Sequence, residues 1–314
     1  MDELTRRLDA ARPVLPRRGE PLTATSEARL QEIPRAARAG ARRPLYLSVA
    51  AAVVVFLAAT VGMVALGKPT AGYATATPPL LQPTPVDGSP EVLLMRLSER
   101  VVPHGTAGNV RFQAWSLSLV LGDDGRVEET SIAPEVRTVE HRADGSRIEV
   151  RRGQPYDSDG RPIAVEGYDV GSLIWEEDFG AGEYPFVFGT PPTVAADFGP
   201  FLEQPLGRTG VTTGDYLLQL SNLLTEQTLS PEQLRAALQF LATRPDLEVE
   251  GAVTDRLDRP GLSFVTDSRA PGEYAERIVV SDAGLGILSI ETTYIGHDRT
   301  DLPSPAVINY TAWE

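Results

Sequence analysis

The sequence predicts an α+β fold behind a single transmembrane helix, and three observations carry that prediction. Residues 45–66, LYLSVAAAVVVFLAATVGMVAL, are an uncharged apolar run. Beyond about residue 110, short segments with two-residue apolar periodicity alternate with turn signals, and two segments with helical periodicity interrupt them. Strands, then helices, then strands imply a mainly antiparallel sheet with helices packed against it. The expected layout is an arm over 1–43, the span over 44–66, a proline-rich linker over 67–89 and one α+β domain over 90–314.

At about 1.5 Å of rise per residue the apolar run makes a helix of roughly 33 Å, enough to cross a hydrocarbon core of about 30 Å. A buried core helix and a cleavable secretory signal are the alternatives. The one-sided charge flanking the run argues against the first; its length and its late start argue against the second. Before Pro44 there are ten arginines and six acidic residues, whereas the whole chain carries a net charge of −14. Positive flanks stay cytoplasmic, so the N-terminus is expected inside and the acidic remainder outside the plasma membrane. Arg42, Arg43 and Tyr46 are the expected anchors at the lipid interface.

In the arm, Leu4, Leu8 and Ala11 recur at helical spacing until Pro13, and residues 26–33 repeat the attempt before Pro34. Neither piece buries enough to fold alone, so the arm is either a peptide that orders on a cytoplasmic partner or a disordered leader. In the span, Ala58 and Gly62 form a small-xxx-small pair of the kind that lets helices approach. Six prolines between 67 and 90 make the next stretch an extended tether.

Ser89 and Pro90 read as the cap and first turn of a helix with Val92, Met95 and residues 97–101 on its apolar side. Strands are expected at 110–121, at 136–141 and at 147–151, the last two joined across Asp144-Gly145. In the third, Ile148 and Val150 alternate with charged neighbours, which implies a sheet with one solvated face. Two helices follow, one with a stripe of Tyr216, Leu217, Leu220, Leu223 and Leu224. The other carries Leu234, Ala237, Leu238 and Leu241 behind a Ser230-Pro231-Glu232-Gln233 capping box. Further strands are expected at 247–254, 261–266, 277–281, 287–294 and 306–313. In the first of these, Leu247, Val249, Gly251 and Val253 should share the dry face.

Residues 153–210 are rich in glycine, proline and aromatics. Trp175, Phe179, Tyr184, Phe186 and Phe188, with Tyr168 and Phe198, either pack over the sheet or line a ligand cavity; the first five are the candidate ligand-binding residues. Asp157-Ser158-Asp159-Gly160 matches half of a calcium loop but lacks the later glutamate, and such a motif is more often a turn. His104, His141 and His297 show no metal-ligand spacing, and no G-x-S-x-G elbow marks a nucleophile. The chain has no cysteine, which excludes disulfides and thiolate sites. The acidic exterior excludes nucleic acid as a partner. No cofactor and no enzymatic activity are expected.

Three stretches carry a resemblance: Met1-Asp2-Glu3-Leu4 with residues 8–13, the arginine-flanked span, and residues 229–264. The last contains Arg235-Ala236-Ala237-Leu238, Gly251-Ala252-Val253-Thr254-Asp255 and Arg259-Pro260-Gly261. Together they resemble a family of uncharacterised actinobacterial single-pass membrane proteins commonly encoded beside extracytoplasmic-function sigma factors. The resemblance implies regulation of envelope gene expression, with a sigma factor as the cytoplasmic partner. The outer domain is similar in element order to the half-barrels of periplasmic lipoprotein carriers and envelope-stress sensors, which implies a curved sheet with helices on its concave side. The expected function is a membrane-anchored envelope sensor or binding protein that takes an apolar envelope ligand; the alternative is a lipid or lipoprotein carrier with a passive arm.

Overall fold

The computed structural model describes residues 77–102, 108–121, 127–157, 161–208, 210–299 and 302–314. The arm, the span with Arg42, Arg43 and Tyr46, and residues 67–76 lie outside the described residues. Among the described residues no helix is long and apolar enough to cross a membrane.

The alternating segments become two meanders. The first comprises β1 (Asn109–Leu121), β2 (Val127–Arg142), β3 (Gly145–Arg152) and β4 (Leu173–Gly180). The second comprises β5 (Glu248–Thr254), β6 (Pro260–Ala270), β7 (Tyr274–Ser281), β8 (Ile287–Tyr294) and β9 (Ala306–Trp313). Every neighbouring pair is antiparallel, and β1 pairs with β9, with Phe112 opposite Trp313. The result is one open nine-stranded sheet in the order β4-β3-β2-β1-β9-β8-β7-β6-β5. The expected Asp144-Gly145 turn joins β2 to β3, with Arg142 paired to Gly145.

Helix α1 (Pro90–Arg100) precedes the sheet, and α2 (Ala195–Glu203), α3 (Thr213–Glu226) and α4 (Pro231–Ala242) lie between β4 and β5, carrying the chain from one sheet edge to the other. Both α3 and α4 open on reciprocal capping boxes, Thr212 with Asp215 and Ser230 with Gln233. Each box satisfies donors that the first helical turn leaves free. The stripe on α3 faces the sheet: Leu217, Leu220 and Leu223 share a buried core with Phe112, Phe264, Ile278 and Ile290. A buried leucine contributes about 1.5–3 kcal/mol by leaving water, so this one helix supplies much of the cohesion of that face.

Two elements depart from sequence expectation. Strand β4 escapes a periodicity reading because Leu-Ile-Trp-Glu-Glu-Asp-Phe does not alternate and a bulge separates Trp175 from Leu173 in the β3 register. Helix α2 contains Gly199 and Pro200, which read as breakers. Gly199 is there because α4 crosses close by: a Cβ at that position would sit 3.0 Å from the Phe240 ring.

The expected dry face of β5 is also corrected. A bulge between Val249 and Gly251 exchanges the faces, so Leu247 and Val249 join the helix-side core while Val253 packs on the opposite side with Val279 and Leu288. The single solvated face holds for β3, where only Ile148 and Val150 are buried. It fails for β7 to β9, which bury residues on both faces.

The second buried face is covered by residues 79–86, the latter part of the proline-rich stretch. Leu80 packs with Trp115, Val307 and Tyr310, and Leu81 packs with Val253, Val279 and Leu288. Thr84 then exchanges both backbone hydrogen bonds with Ala252, each 2.8 Å, and Val86 reaches the helix-side core. Gly251 permits this crossing. Its φ is +140°, and a Cβ there would stand 2.1 Å from the Thr84 carbonyl oxygen. An ionic network lies on the same sheet half: Arg256 Nε to Glu291 Oε1 at 2.9 Å, Arg277 Nη1 to Glu291 Oε2 at 3.5 Å and Arg277 Nε to Glu250 Oε2 at 2.5 Å. Arg256 also donates to the Pro79 carbonyl at 2.7 Å, which ties the strap to the network.

Candidate functional site

Four of the five aromatics singled out in the sequence belong to the helix side of the first meander, but only three meet. Phe179, at the end of β4, lies 5.3 Å from the Tyr184 ring, and Tyr184 lies 4.5 Å from Phe186. Trp175 is on the same face of β4, opposite Val150, and packs into the core four residues before Phe179, with Glu177 between them on that face. Phe188 turns away and packs at 5.8 Å against Phe201 of α2. Phe186 is 48% exposed, Tyr184 and Phe179 are half-buried, and Phe188 is buried.

What gathers the trio is His141, near the end of β2. Its imidazole sits edge-on to Tyr184 at 4.7 Å and 4.8 Å from Phe186. Both ring nitrogens are engaged, Nδ1 with Ser146 Oγ at 2.9 Å and Nε2 with the Glu226 carbonyl at 2.6 Å. Glu226 ends α3, and its carboxylate accepts from the backbone N–H of Val187 at 3.2 Å and of Phe188 at 3.3 Å. The loop that follows β4 is therefore fastened to the C-terminus of α3 through one side chain. Gln227 and Gln233 add ties to the carbonyls of Gly189 and Pro191, at 3.1 and 2.8 Å.

Burial pushes the Glu226 carboxyl up to about 7, against the opposing pull of the two N–H donors. The carboxylate also sits at the negative end of the α3 dipole. Burial, and then the charge of Glu226, push the Tyr184 hydroxyl well above its ordinary range. The arrangement is a proton-holding carboxyl beneath a partly exposed aromatic surface. Such a surface suits an apolar or planar contact, and the carboxyl sets how firmly the loop that carries it is held.

In the sequence His141 was weighed only as a metal ligand, and Glu226 was not singled out. Glu226 follows an apolar stripe as any solvent-side glutamate would, and its role comes from a loop nearly forty positions earlier. Tyr168 is placed elsewhere: its ring lies 5.1 Å from Arg152 and its hydroxyl donates to Gly153 at 2.9 Å. Asp157 Oδ1 accepts from Arg161 N at 2.8 Å, and the rest of that motif, Ser158, Asp159 and Gly160, lies outside the described residues. Among the described residues no group of three or more histidine, cysteine or acidic side chains is placed to hold a metal ion.

A groove of about 490 Å³ lies between the start of α1 and the end of α4, lined in part by Met95, Gln239, Arg244 and Leu247. It shares no residue with the aromatic cluster. No protein-family model matches this chain, and no curated protein sequence matches it.

Proposed function

We propose that this chain is a non-enzymatic, membrane-anchored envelope sensor or binding protein. In this reading residues 1–43 are cytoplasmic, 44–66 span the plasma membrane, and the sheet domain lies outside, where it recognises an envelope component while the arm contacts a regulatory protein such as a sigma factor. The charge asymmetry about residues 45–66 supports the topology. The observation that carries the recognition role is the filled helix side of the sheet: α3 contributes Leu217, Leu220 and Leu223 to a closed core, and the domain offers partners its surface and its edges. The half-barrel resemblance is supported by helices packed on one face of an antiparallel sheet. The test is binding of a peptide spanning residues 1–43 to an extracytoplasmic-function sigma factor. Micromolar binding is expected, and no binding at that concentration removes the regulatory half of the proposal.

A carrier of lipid or lipoprotein with a passive arm is the second reading, and one observation favours it. The loop after β4, not a helix, brings Tyr184 and Phe186 to the His141 end of β2, so a ligand needs only to displace that loop to reach apolar side chains. Lipid that copurifies with the full chain in excess of the detergent blank, and is lost in Phe186→Ser, would favour the carrier.

A further inference from the structure

The two edges of the sheet are finished differently. At one end, Thr84 pairs with β5 through two backbone hydrogen bonds, so the chain covers part of that edge itself. At the other end β4 has β3 on its inner side and, among the described residues, no strand on its outer side; only its last residue, Gly180, is engaged there, by Glu183 of the turn that follows. An uncovered edge strand presents a row of N–H and C=O groups at strand spacing, a template for an added strand.

The side chains along this edge say what kind of strand it would accept. Residues 162–207 hold eight acidic and no basic side chains. Three of the acids are consecutive on β4: Glu176, Glu177 and Asp178. On one face Arg147 of β3 reaches both Glu176 and, at 3.7 Å, Asp178. On the other, Glu177 is exposed and makes no ion pair among the described residues. Exposed apolar side chains precede the triad: Val170 and Leu173, 47% and 45% exposed.

We propose that the outer edge of β4 is a docking edge for an extended basic segment of a partner protein, which adds as a tenth strand. Its basic residues lie beside the acidic triad and an apolar residue lies at one end, next to Leu173. A second copy of this chain is the wrong occupant. Two β4 strands paired across a two-fold axis would bring one acidic triad against the other, and like charges directly opposite are destabilising. The inference goes beyond the sensor reading and does not depend on which side of a membrane the domain occupies.

The test uses the full-length chain in nanodiscs and two probe peptides, each with a leucine at one end of alternating threonine and lysine, or threonine and glutamate. The readout is backbone hydrogen exchange over residues 173–180, with residues 274–294 as the folding control. The lysine peptide should slow exchange along β4 by about tenfold or more at saturation, as a new ladder protects the amides. The glutamate peptide should not. Glu177→Lys, with unchanged exchange in the control strands, should raise the half-saturating concentration of the lysine peptide at least fivefold. No slowing at about 1 mM peptide, a millimolar ceiling that corresponds to about 4 kcal/mol of binding, overturns the proposal. Equal slowing by both peptides overturns it too. Slowing that grows with protein concentration in the absence of peptide assigns the edge to self-association instead.

Discussion

Replacing Glu226 by glutamine tests the account of the aromatic loop most directly. In the folded chain burial holds this carboxyl near 7, whereas its ordinary value is 4.5. Between those values the folded state keeps a proton that the unfolded state has lost. Stability from this group is therefore fully present below about 4.5 and is lost as pH rises through about 7. A raise of about 2.5 pKa units at about 1.4 kcal/mol each is worth about 3.5 kcal/mol over the full titration, of which about 2.5 kcal/mol is lost between pH 5 and pH 8. For a domain of this size that is roughly 5–10 °C in Tm. Glutamine removes the titration and can still accept from Val187 and Phe188, so the variant should lose this part of the pH dependence whatever constant cost it carries. The assay is urea unfolding of wild type and Glu226→Gln at several pH values, followed by tryptophan emission. All three tryptophans, Trp115, Trp175 and Trp313, lie in the sheet, so the signal reports the sheet domain alone. Parallel stability-versus-pH curves for the two proteins would refute the assignment of a buried, proton-holding carboxyl at the end of α3.

Other substitutions probe separate parts of the fold, each by the same unfolding assay. Gly251→Val should cost about 3 kcal/mol or more, because it puts a side chain into the Thr84 carbonyl and demands a backbone conformation valine avoids; a neutral result would mean the strap does not cross β5 there. Glu291→Ala should cost about 3–5 kcal/mol, since it leaves Arg256 and Arg277 without a shared partner in a buried setting, whereas Arg235→Ala, whose pair with Glu232 is surface-exposed at 3.9 Å, should change stability by under about 1 kcal/mol. Leu217→Ala should cost about 3–5 kcal/mol through the cavity it opens between α3 and the sheet.

The parts of the fold that sequence made legible are those whose local pattern and tertiary role agree. Helix α4 declares itself through Ser230, Pro231 and Gln233, and β3 through the alternation of Ile148 and Val150. The illegible parts are those whose residues answer to a distant segment. Gly199 looks like a helix breaker until Phe240 is seen beside it, and Gly251 looks like a weak inward strand residue until Thr84 lies across it. The same holds for the candidate site. Aromatic richness pointed to Phe179, Tyr184 and Phe186, but the groups that hold them, His141 and Glu226, come from β2 and α3 and carry no local mark. Consecutive apolar residues, Ile278-Val279-Val280 in β7 and Ile287-Leu288 in β8, were the available sign that the second face is covered. What covers it, Leu80 and Leu81, sat inside a stretch whose prolines read as a tether.

The pairing of β1 with β9 has a bearing on how the chain is made. As synthesis proceeds, the first meander can close its hairpins early, yet its inner strand must wait through α2 to α4 and four more strands before its neighbour exists. Through that interval the nascent half-sheet has two raw margins in place of one, and long-range partners are slow to find each other. Damage to β9 therefore harms β1 as well: losing those eight residues opens the middle of the sheet and leaves the α3 core to join two half-sheets with bare inner margins.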